Sequence, residues 1–186
     1  MPNAGDARIL LDGARIFNAA VAQNVSVKEL VAPADSVMFC LSKGLVSPIG
    51  SMLVGTRKFI TRARHLRKML GGGMRQVGIV AAAGVISLEK MVDRLKDDHV
   101  RARKLADGLR KIKGVLVDSG SPYTNMVYLN LDESISLDGM QISTAMKKLG
   151  VLVDIENPRR FRLVTHYWVD DKAVDIAINA FAKALS

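Results

Sequence analysis

Short apolar runs alternate with amphipathic stretches over the first part of the chain, a pattern typical of alternating strands and helices. Strands are predicted at residues 8–11, 36–41 and 50–55. A helix is predicted from residue 14 to Asn24. Because residues 36–41 are apolar without alternation, helices are expected to cover that strand on both faces. The order strand, helix, strand, loop, strand predicts an α/β fold.

A basic amphipathic stretch and an apolar stretch follow, separated by three glycines. Residues 57–70 predict a basic amphipathic helix, and residues 77–88 are apolar or small on nearly every side. The apolar stretch is therefore expected to be deeply buried and to continue to Leu109 as one long helix. The glycines at 71–73 favour a helix-breaking hinge, although their backbone amides and Arg75 also fit an anion site.

The pattern changes after Gly114, where short strands and two helices predict a small α+β unit. Strands are predicted at residues 115–117, 126–129, 151–153 and 161–164, and helices at residues 138–149 and 170–185. A long helix that ends on a glycine makes a natural boundary. We therefore expect a large domain at residues 1–112 and a small C-terminal domain at residues 113–186.

Composition narrows the class of protein. The chain is 49% hydrophobic and 24% charged, enough for a substantial core. No apolar stretch approaches the roughly 20 residues of a membrane helix, and residues 1–6 do not resemble a signal peptide, so a cytoplasmic protein is expected. Cys40 is the only cysteine, which excludes an intramolecular disulfide. The three histidines lack metal-ligand spacing, and no metal is expected.

The net charge of +9 admits partners such as nucleic acid, anionic lipid or a phosphorylated small molecule. The positive charge concentrates at residues 57–75 and 94–113, both predicted as helical. Only 5% of the residues are aromatic, so few side chains are available to stack on bases. A solvated helix face or an interface is the favoured interpretation, a phosphate-binding face comes second, and nucleic acid is disfavoured.

Two residues next to predicted strand ends could carry chemistry. Asp12 directly follows the first strand, where it could simply cap the next helix. Lys43 follows the strand at residues 36–41, where it could be a surface lysine of a glycine-rich loop. The carboxyl end of a strand is also where open α/β sheets bind ligands, and partial desolvation there would favour a neutral, nucleophilic amine.

Together, the two residues match what pyridoxal phosphate needs from a protein. The cofactor requires a lysine that binds its aldehyde and a carboxylate that keeps its ring nitrogen protonated. Asp12 and Lys43 could bracket one ring, with the phosphate turned toward glycine amides or cationic side chains.

Four motifs then make a specific resemblance. The chain resembles the low-specificity L-threonine aldolases, which are pyridoxal-phosphate enzymes with an aspartate-aminotransferase-like (fold-type I) fold. The resemblance rests on residues 11–19 (LDGARIFNA), 36–45 (SVMFCLSKGL), 67–76 (RKMLGGGMRQ) and 162–166 (RLVTH). It implies an α/β fold formed by the C-terminal part of the large domain of such an enzyme, followed by a small α+β domain.

The resemblance implies four cofactor contacts near the start of the chain. Asp12 would pair with the pyridine nitrogen, and Arg15 would lie beside the ring hydroxyl. Lys43 would bind the cofactor covalently, and Ser42 would contact the phosphate.

Three further basic residues are implied at more distant positions. Lys68 and Arg75 would lie around the cofactor, supplied by a neighbouring subunit. Arg162 would hold the substrate carboxylate, since its planar fork makes two parallel hydrogen bonds to such a group. The implied reaction is retro-aldol cleavage of L-threonine and related β-hydroxy amino acids to glycine and an aldehyde.

The histidines are interpreted separately. His65 and His99 lie in charged helical stretches and are expected at the surface. His166 follows the Arg162 strand, so it could approach the substrate, but a structural role is favoured.

The chain also departs from the family pattern. Family members are nearly twice as long, and the N-terminal portion, with the phosphate loop and a ring-stacking histidine, is expected to be missing. Leu10 stands where the family commonly has histidine. A homo-oligomer, or pairing with a separate N-terminal half, is therefore expected. The alternative is a truncated, non-catalytic α/β remnant that dimerises or binds anions.

Overall fold

The computed structural model describes residues 8–185. Its contacts divide the chain into two compact units: unit 1 ends at Arg94, and unit 2 begins at Leu95. Every helix within residues 8–185 is too short or too polar to cross a membrane. Each unit is described separately below.

Unit 1 is built on a three-stranded mixed sheet. Its elements are β1 (Leu10–Asp12), α1 (Ile16–Gln23), α2 (Val27–Val31), β2 (Ser36–Cys40), β3 (Ser51–Gly55), α3 (Arg57–Met69) and α4 (Gly78–Lys90). The strand order is β1-β2-β3, with β1 parallel and β3 antiparallel to β2. The two short helices α1 and α2 make the crossover that a parallel β1–β2 pair requires.

Short-range contacts fix the ends of the helices in unit 1. Asn24 closes α1 in a left-handed conformation (φ 53°), which asparagine tolerates better than most residues. Ser26 Oγ accepts a hydrogen bond from the Glu29 amide at 3.3 Å and caps α2. Thr56 Oγ1 accepts one from the Phe59 amide at 3.3 Å and caps α3. These caps explain why the helix starts were readable from sequence.

One helix packs on the sheet of unit 1 through an aromatic pair. Phe17 of α1 and Phe39 of β2 meet edge to face, with ring centroids 5.4 Å apart. Ile16 and Val37 are buried beside them, whereas Phe39 and Cys40 stay half-buried. The coverage predicted for both faces of β2 is therefore only partial within this unit.

The expectation that residues 77–88 are deeply buried is wrong for this chain. Ile79 is 85% exposed, Ile86 is 58% exposed, and only Gly84 and Ser87 of α4 are buried. A Cβ at Gly84 would lie 3.1 Å from Leu41 Cδ1, so the helix does make the close approach that its small residues predicted. Amphipathic periodicity is weak in α4, and nothing in unit 1 covers its other sides.

The single long helix predicted from residue 77 to Leu109 is two helices. α4 ends at Lys90, and α5 (Leu95–Leu109) belongs to unit 2. The apolar face of α5 is buried against α7 (Asp171–Ala184) and two strands of unit 2, β4 (Val115–Val117) and β5 (Met126–Leu131). The contacts therefore divide the chain before α5, and a domain division at residues 112 and 113 stays a prediction about the whole protein.

Unit 2 is a four-stranded antiparallel sheet covered by helices. Besides α5, β4, β5 and α7, its elements are α6 (Gly139–Lys148), β6 (Asp154–Asn157) and β7 (Arg160–Val164), with strand order β4-β5-β7-β6. Strands β5 and β7 alternate half-buried and buried positions. The buried set forms one hydrophobic core, in which Val127, Leu129, Ile142, Phe161 and Phe181 are 0% exposed.

The strand predicted at residues 151–153 is not formed, and β6 begins after it. Gly150 (φ 81°) follows α6, its amide donates to Lys147 O at 3.0 Å, and the Val151 amide donates to Met146 O at 3.0 Å. This pair of bonds is the Schellman arrangement that closes a helix. Residue 151 is thus used in ending α6, and pairing with β7 starts only at Asp154.

Candidate active site

The carboxyl ends of β1 and β2 lie at one edge of the unit 1 sheet. The strands are parallel, and Asp12 is in register with Met38. The Gly13 amide donates to Met38 O at 2.8 Å. A Cβ at residue 13 would lie 3.0 Å from that oxygen, so only glycine fits here without a shift. This close approach places Asp12 at the same edge as the loop that follows β2.

Asp12 uses one carboxylate oxygen locally. Its Oδ1 accepts a hydrogen bond from the Ala14 amide at 3.1 Å, so the capping role considered from sequence is present at this turn. The side chain is exposed. Capping fixes the orientation of the carboxylate without using its second oxygen, and the two roles considered for Asp12 are therefore compatible.

Lys43 lies in a closed loop that starts at the end of β2. The amides of Leu41 and Ser42 both donate to Gly50 O, at 2.9 and 3.3 Å, and the Ser47 amide donates to Leu41 O at 3.0 Å. Ser42 and Lys43 are exposed, which differs from the desolvated lysine expected from sequence. The loop thus holds its backbone rigidly and presents the lysine amine outward.

Val46 was missed by sequence reasoning. It has a φ of 64°, a left-handed conformation that is unfavourable for a β-branched residue. Its amide donates to Lys43 O at 2.9 Å, and its neighbours Leu45 and Ser47 are buried. The buried neighbours hold Val46 in this conformation, which closes the turn directly after Lys43. No sequence signal marks it, because valine is not a turn residue.

Arg15 carries an unsatisfied donor at this edge. It directly precedes α1, it is half-buried, and its Nε is buried with no hydrogen-bond partner among the described residues. Leaving such a group unpaired costs about 1 to 3 kcal/mol. An acceptor on a ligand would remove that cost. An exposed amine, an oriented carboxylate and this free donor together fit the contacts expected for pyridoxal phosphate.

Lys68 and Arg75 flank the glycine triplet, whose amides are largely used. The Gly71 amide donates to Lys68 O at 3.2 Å, and the Gly72 amide donates to Arg67 O at 2.8 Å. With Gly71 at φ 86°, this closes α3 as a Schellman motif. The hinge interpretation is therefore favoured over an anion site. Both basic side chains are exposed, and no described hydrogen bond or ion pair joins them to Asp12 or Lys43.

Arg162 lies in unit 2, at the centre of β7. Its Nη2 donates to Asp154 Oδ2 at 2.7 Å, and the two residues face each other across the β6–β7 pair. The Nε of Arg162 is buried and lacks a partner within residues 8–185. Both side chains line a cavity of about 490 Å³ in unit 2. Sequence reasoning identified Arg162 but missed Asp154, because strand register cannot be read from a motif.

The end of β7 is locked by buried polar side chains that sequence reasoning also missed. Thr165 is 1% exposed, and its Oγ1 donates to Asp98 O at 2.7 Å. The Asn125 side chain donates to Thr165 O at 2.8 Å, and the Thr165 amide donates to Asn125 O at 3.0 Å. These bonds fix the backbone three residues beyond Arg162.

The histidines differ in position. His65 is exposed, as predicted. The prediction for His99 is wrong: it is 4% exposed, because it lies on the buried side of α5, and this burial lowers its pKa. His166 Nδ1 accepts from the Trp168 amide at 3.3 Å, which supports a structural role, although His166 also lines the Arg162 cavity.

Comparison with known proteins follows this geometry. A family model for beta-eliminating lyases matches residues 2–134. The chain belongs to the beta-eliminating lyase family. Within curated proteins, this family member is 44% identical over 156 residues to the low specificity L-threonine aldolase of Escherichia coli (strain K12), covering 84% of this chain and 44% of that protein. It is 38% identical over 178 residues to low-specificity L-threonine aldolase 1 of Arabidopsis thaliana, covering 96% and 50%.

Solved structures show that this beta-eliminating lyase family member shares a known fold. A Listeria monocytogenes protein assigned as an L-allo-threonine aldolase matches with a TM-score of 0.80 at 19% identity, covering 97% of this chain and 53% of that one. The ureidoglycine-glyoxylate aminotransferase of Bacillus subtilis matches with a TM-score of 0.69 at 14% identity and the same coverage. The predicted family resemblance and α/β, aminotransferase-like fold are confirmed. The chain spans about half the length of these relatives.

Proposed function

We propose that this chain contributes part of the active site of a pyridoxal-phosphate-dependent lyase of the threonine aldolase type. The reaction would cleave L-threonine and related β-hydroxy amino acids to glycine and an aldehyde. The observation that carries the proposal is the edge of the unit 1 sheet, where Asp12, the Lys43 loop and the unpaired Nε of Arg15 lie at the ends of two parallel strands. Names of relatives support the substrate class.

Each residue of this edge has a defined task in the proposal. The exposed ε-amine of Lys43 would bind the cofactor aldehyde. Asp12, oriented by the Ala14 amide, would hold a proton at the ring nitrogen through the oxygen that the turn does not use. Arg15 Nε would donate to the ring hydroxyl, and Ser42 Oγ would donate to the phosphate. Pyridoxal phosphate, when bound, supplies the electron sink that accepts the electron pair of the breaking Cα–Cβ bond.

Arg162 would bind the substrate carboxylate. Two hydrogen bonds from one guanidinium fix both position and rotation of the amino acid, which aligns the bond that must break. Lys68 and Arg75 would add positive charge around the cofactor from a neighbouring copy of the chain.

Further polypeptide is proposed to complete the site. Unit 1 exposes an unusual amount of apolar side chain for a soluble surface, which is typical of an interaction face. The exposed residues are Ile9, Leu10, Met52, Leu53, Val54, Phe59, Leu66, Met69, Leu70, Met74, Val77, Ile79, Val85, Ile86 and Leu88. Either a second copy or a polypeptide equivalent to the remaining half of the relatives would cover this face. The same face supports the alternative, a non-catalytic dimerising module.

Absorbance spectroscopy tests the proposal. Adding pyridoxal phosphate should give a band at about 420 nm, where protonated imines of this cofactor absorb. Lys43→Ala should abolish the band, whereas Lys28→Ala, which removes an exposed lysine of α2, should leave it unchanged. A band that persists in Lys43→Ala, or none in the unmodified chain, would remove the cofactor role and favour the non-catalytic module. Aldehyde release from L-threonine then tests catalysis.

A further inference from the structure

The cavity beside Arg162 has an unusual charge composition. Its charged lining residues are Asp154 and Arg162, with His166 as a further polar group, and most other lining residues are apolar. The two charges cancel when His166 is neutral. A ligand with one carboxylate therefore leaves the cavity with one net negative charge, and a ligand with two carboxylates leaves it with two.

Asp154 holds Arg162 without closing its guanidinium fork. Only Nη2 is bonded to Asp154, at 2.7 Å, while the buried Nε has no partner within the described part of the chain. A bidentate carboxylate ligand would use Nε as well as a terminal nitrogen. The fork is thus oriented by one acceptor and still has a free donor for another.

We propose that Asp154 is a specificity-determining residue that admits amino acids with one carboxylate and rejects those with two. This inference rests on the proposed function, in which Arg162 binds the substrate carboxylate. Asp154 keeps the guanidinium in place with its oxygen and repels a second carboxylate with its charge. Rejection by an unfavourable like charge is a general route to specificity. The side chain of Asp154 is 63% exposed, so it lies at the mouth of the cavity, where an entering ligand meets it.

Asp154→Asn separates charge from orientation. The amide oxygen can still accept the hydrogen bond from Arg162 Nη2, but the negative charge is gone. Glu156→Gln is the matched control, because Glu156 lies on the same strand, pairs with Arg160 at 3.1 Å and does not line this cavity. Both substitutions change the net charge of the chain equally, so a general electrostatic effect would appear in both.

The Nε–H resonance of Arg162 in a ¹H–¹⁵N spectrum of the full chain reports carboxylate binding without cofactor. Arg162→Lys identifies the resonance by its loss. Titration with L-threonine and with L-aspartate gives a dissociation constant for each. In the unmodified chain, L-threonine should bind more tightly. In Asp154→Asn, affinity for L-aspartate should rise about tenfold more than affinity for L-threonine, since like charges in contact repel strongly at a low-dielectric site. Glu156→Gln should leave the ratio within about twofold.

Equal gains for both amino acids in Asp154→Asn would overturn the inference, and so would an Nε resonance that responds to neither amino acid. If Asp154→Asn does not fold, Asp154→Ser provides the same test. Failure of the proposed function is distinguished by the Lys43-dependent absorbance band. Its absence removes the cofactor role, whereas an unchanged selectivity ratio removes only the role of Asp154.

Discussion

The two units of the chain solve the burial problem differently. In unit 2, the sheet and its helices enclose a core whose largest side chains, such as Phe161 and Phe181, are 0% exposed. In unit 1, every residue of β3 is exposed, and Ile79 of α4 is 85% exposed. Unit 1 forms its elements through caps, turns and strand pairing but leaves apolar surface uncovered. Correct local structure therefore does not require a completed core.

The largest expected effect tests the core of unit 2. Phe161 and Phe181 pack edge to face, with centroids 5.5 Å apart. Phe161→Ala should lower the free energy of unfolding by about 3 to 5 kcal/mol, since it removes apolar contacts and leaves a cavity. Ile79→Ala in unit 1 is the control and should change it by no more than about 0.5 kcal/mol, because the side chain is exposed. Urea denaturation measures both, and similar values for the two variants would contradict the contrast.

A smaller effect is expected from the polar lock at the end of β7. Thr165→Val removes the hydroxyl donor to Asp98 O, which lies at 2.7 Å, while keeping the shape of the side chain. A buried carbonyl would lose a donor, and stability should fall by about 1 to 3 kcal/mol. Thr144→Val, at an exposed position of α6, should be nearly neutral. Thermal unfolding of both variants checks this, and a neutral Thr165→Val would show that another donor replaces the hydroxyl.

In unit 1, relief of strain should partly offset the loss of a side chain. Val46 has a φ of 64°, which glycine adopts freely. Val46→Gly should change the free energy of unfolding by less than about 1 kcal/mol, in either direction. Val127→Gly, in the core of unit 2, should destabilise by several times as much. A large loss in Val46→Gly, measured by denaturant titration, would mean that packing outweighs strain in the lysine loop.

The smallest effect is a pH dependence in unit 2. Burial lowers the pKa of His99, helped by Arg103 and opposed by Asp98. The unfolded chain therefore takes up a proton near pH 6.5, before the folded chain does. Stability should be full above about pH 6.5 and fall as the pH drops from there to the lowered pKa. His99→Gln should flatten this dependence, and His65→Gln should not. Denaturation midpoints at several pH values between 5 and 8 measure it.

Sequence reasoning succeeded where local chemistry decides structure. The helix before Asn24 and the turn at Asp12 and Gly13 follow from short-range patterns, as does the helix end at Gly71. It failed where a property depends on distant chain. Burial of residues 77–88 depends on what covers α4, the strand predicted at residues 151–153 lost its first residue to the end of α6, and the Asp154–Arg162 pair depends on strand register. The site residues of unit 1 were predicted from motifs, but their exposure was not.

The doubly bonded Gly50 carbonyl has a consequence for the order of folding. It accepts from Leu41 and Ser42 and so joins residues only ten positions apart at most. Loops of about this length close within about 10 to 100 ns, far faster than whole domains fold. The ring of chain that carries Lys43 can therefore close before the surrounding sheet and the core of unit 2 are complete. Its lysine is presented by one of the earliest structures that the chain forms.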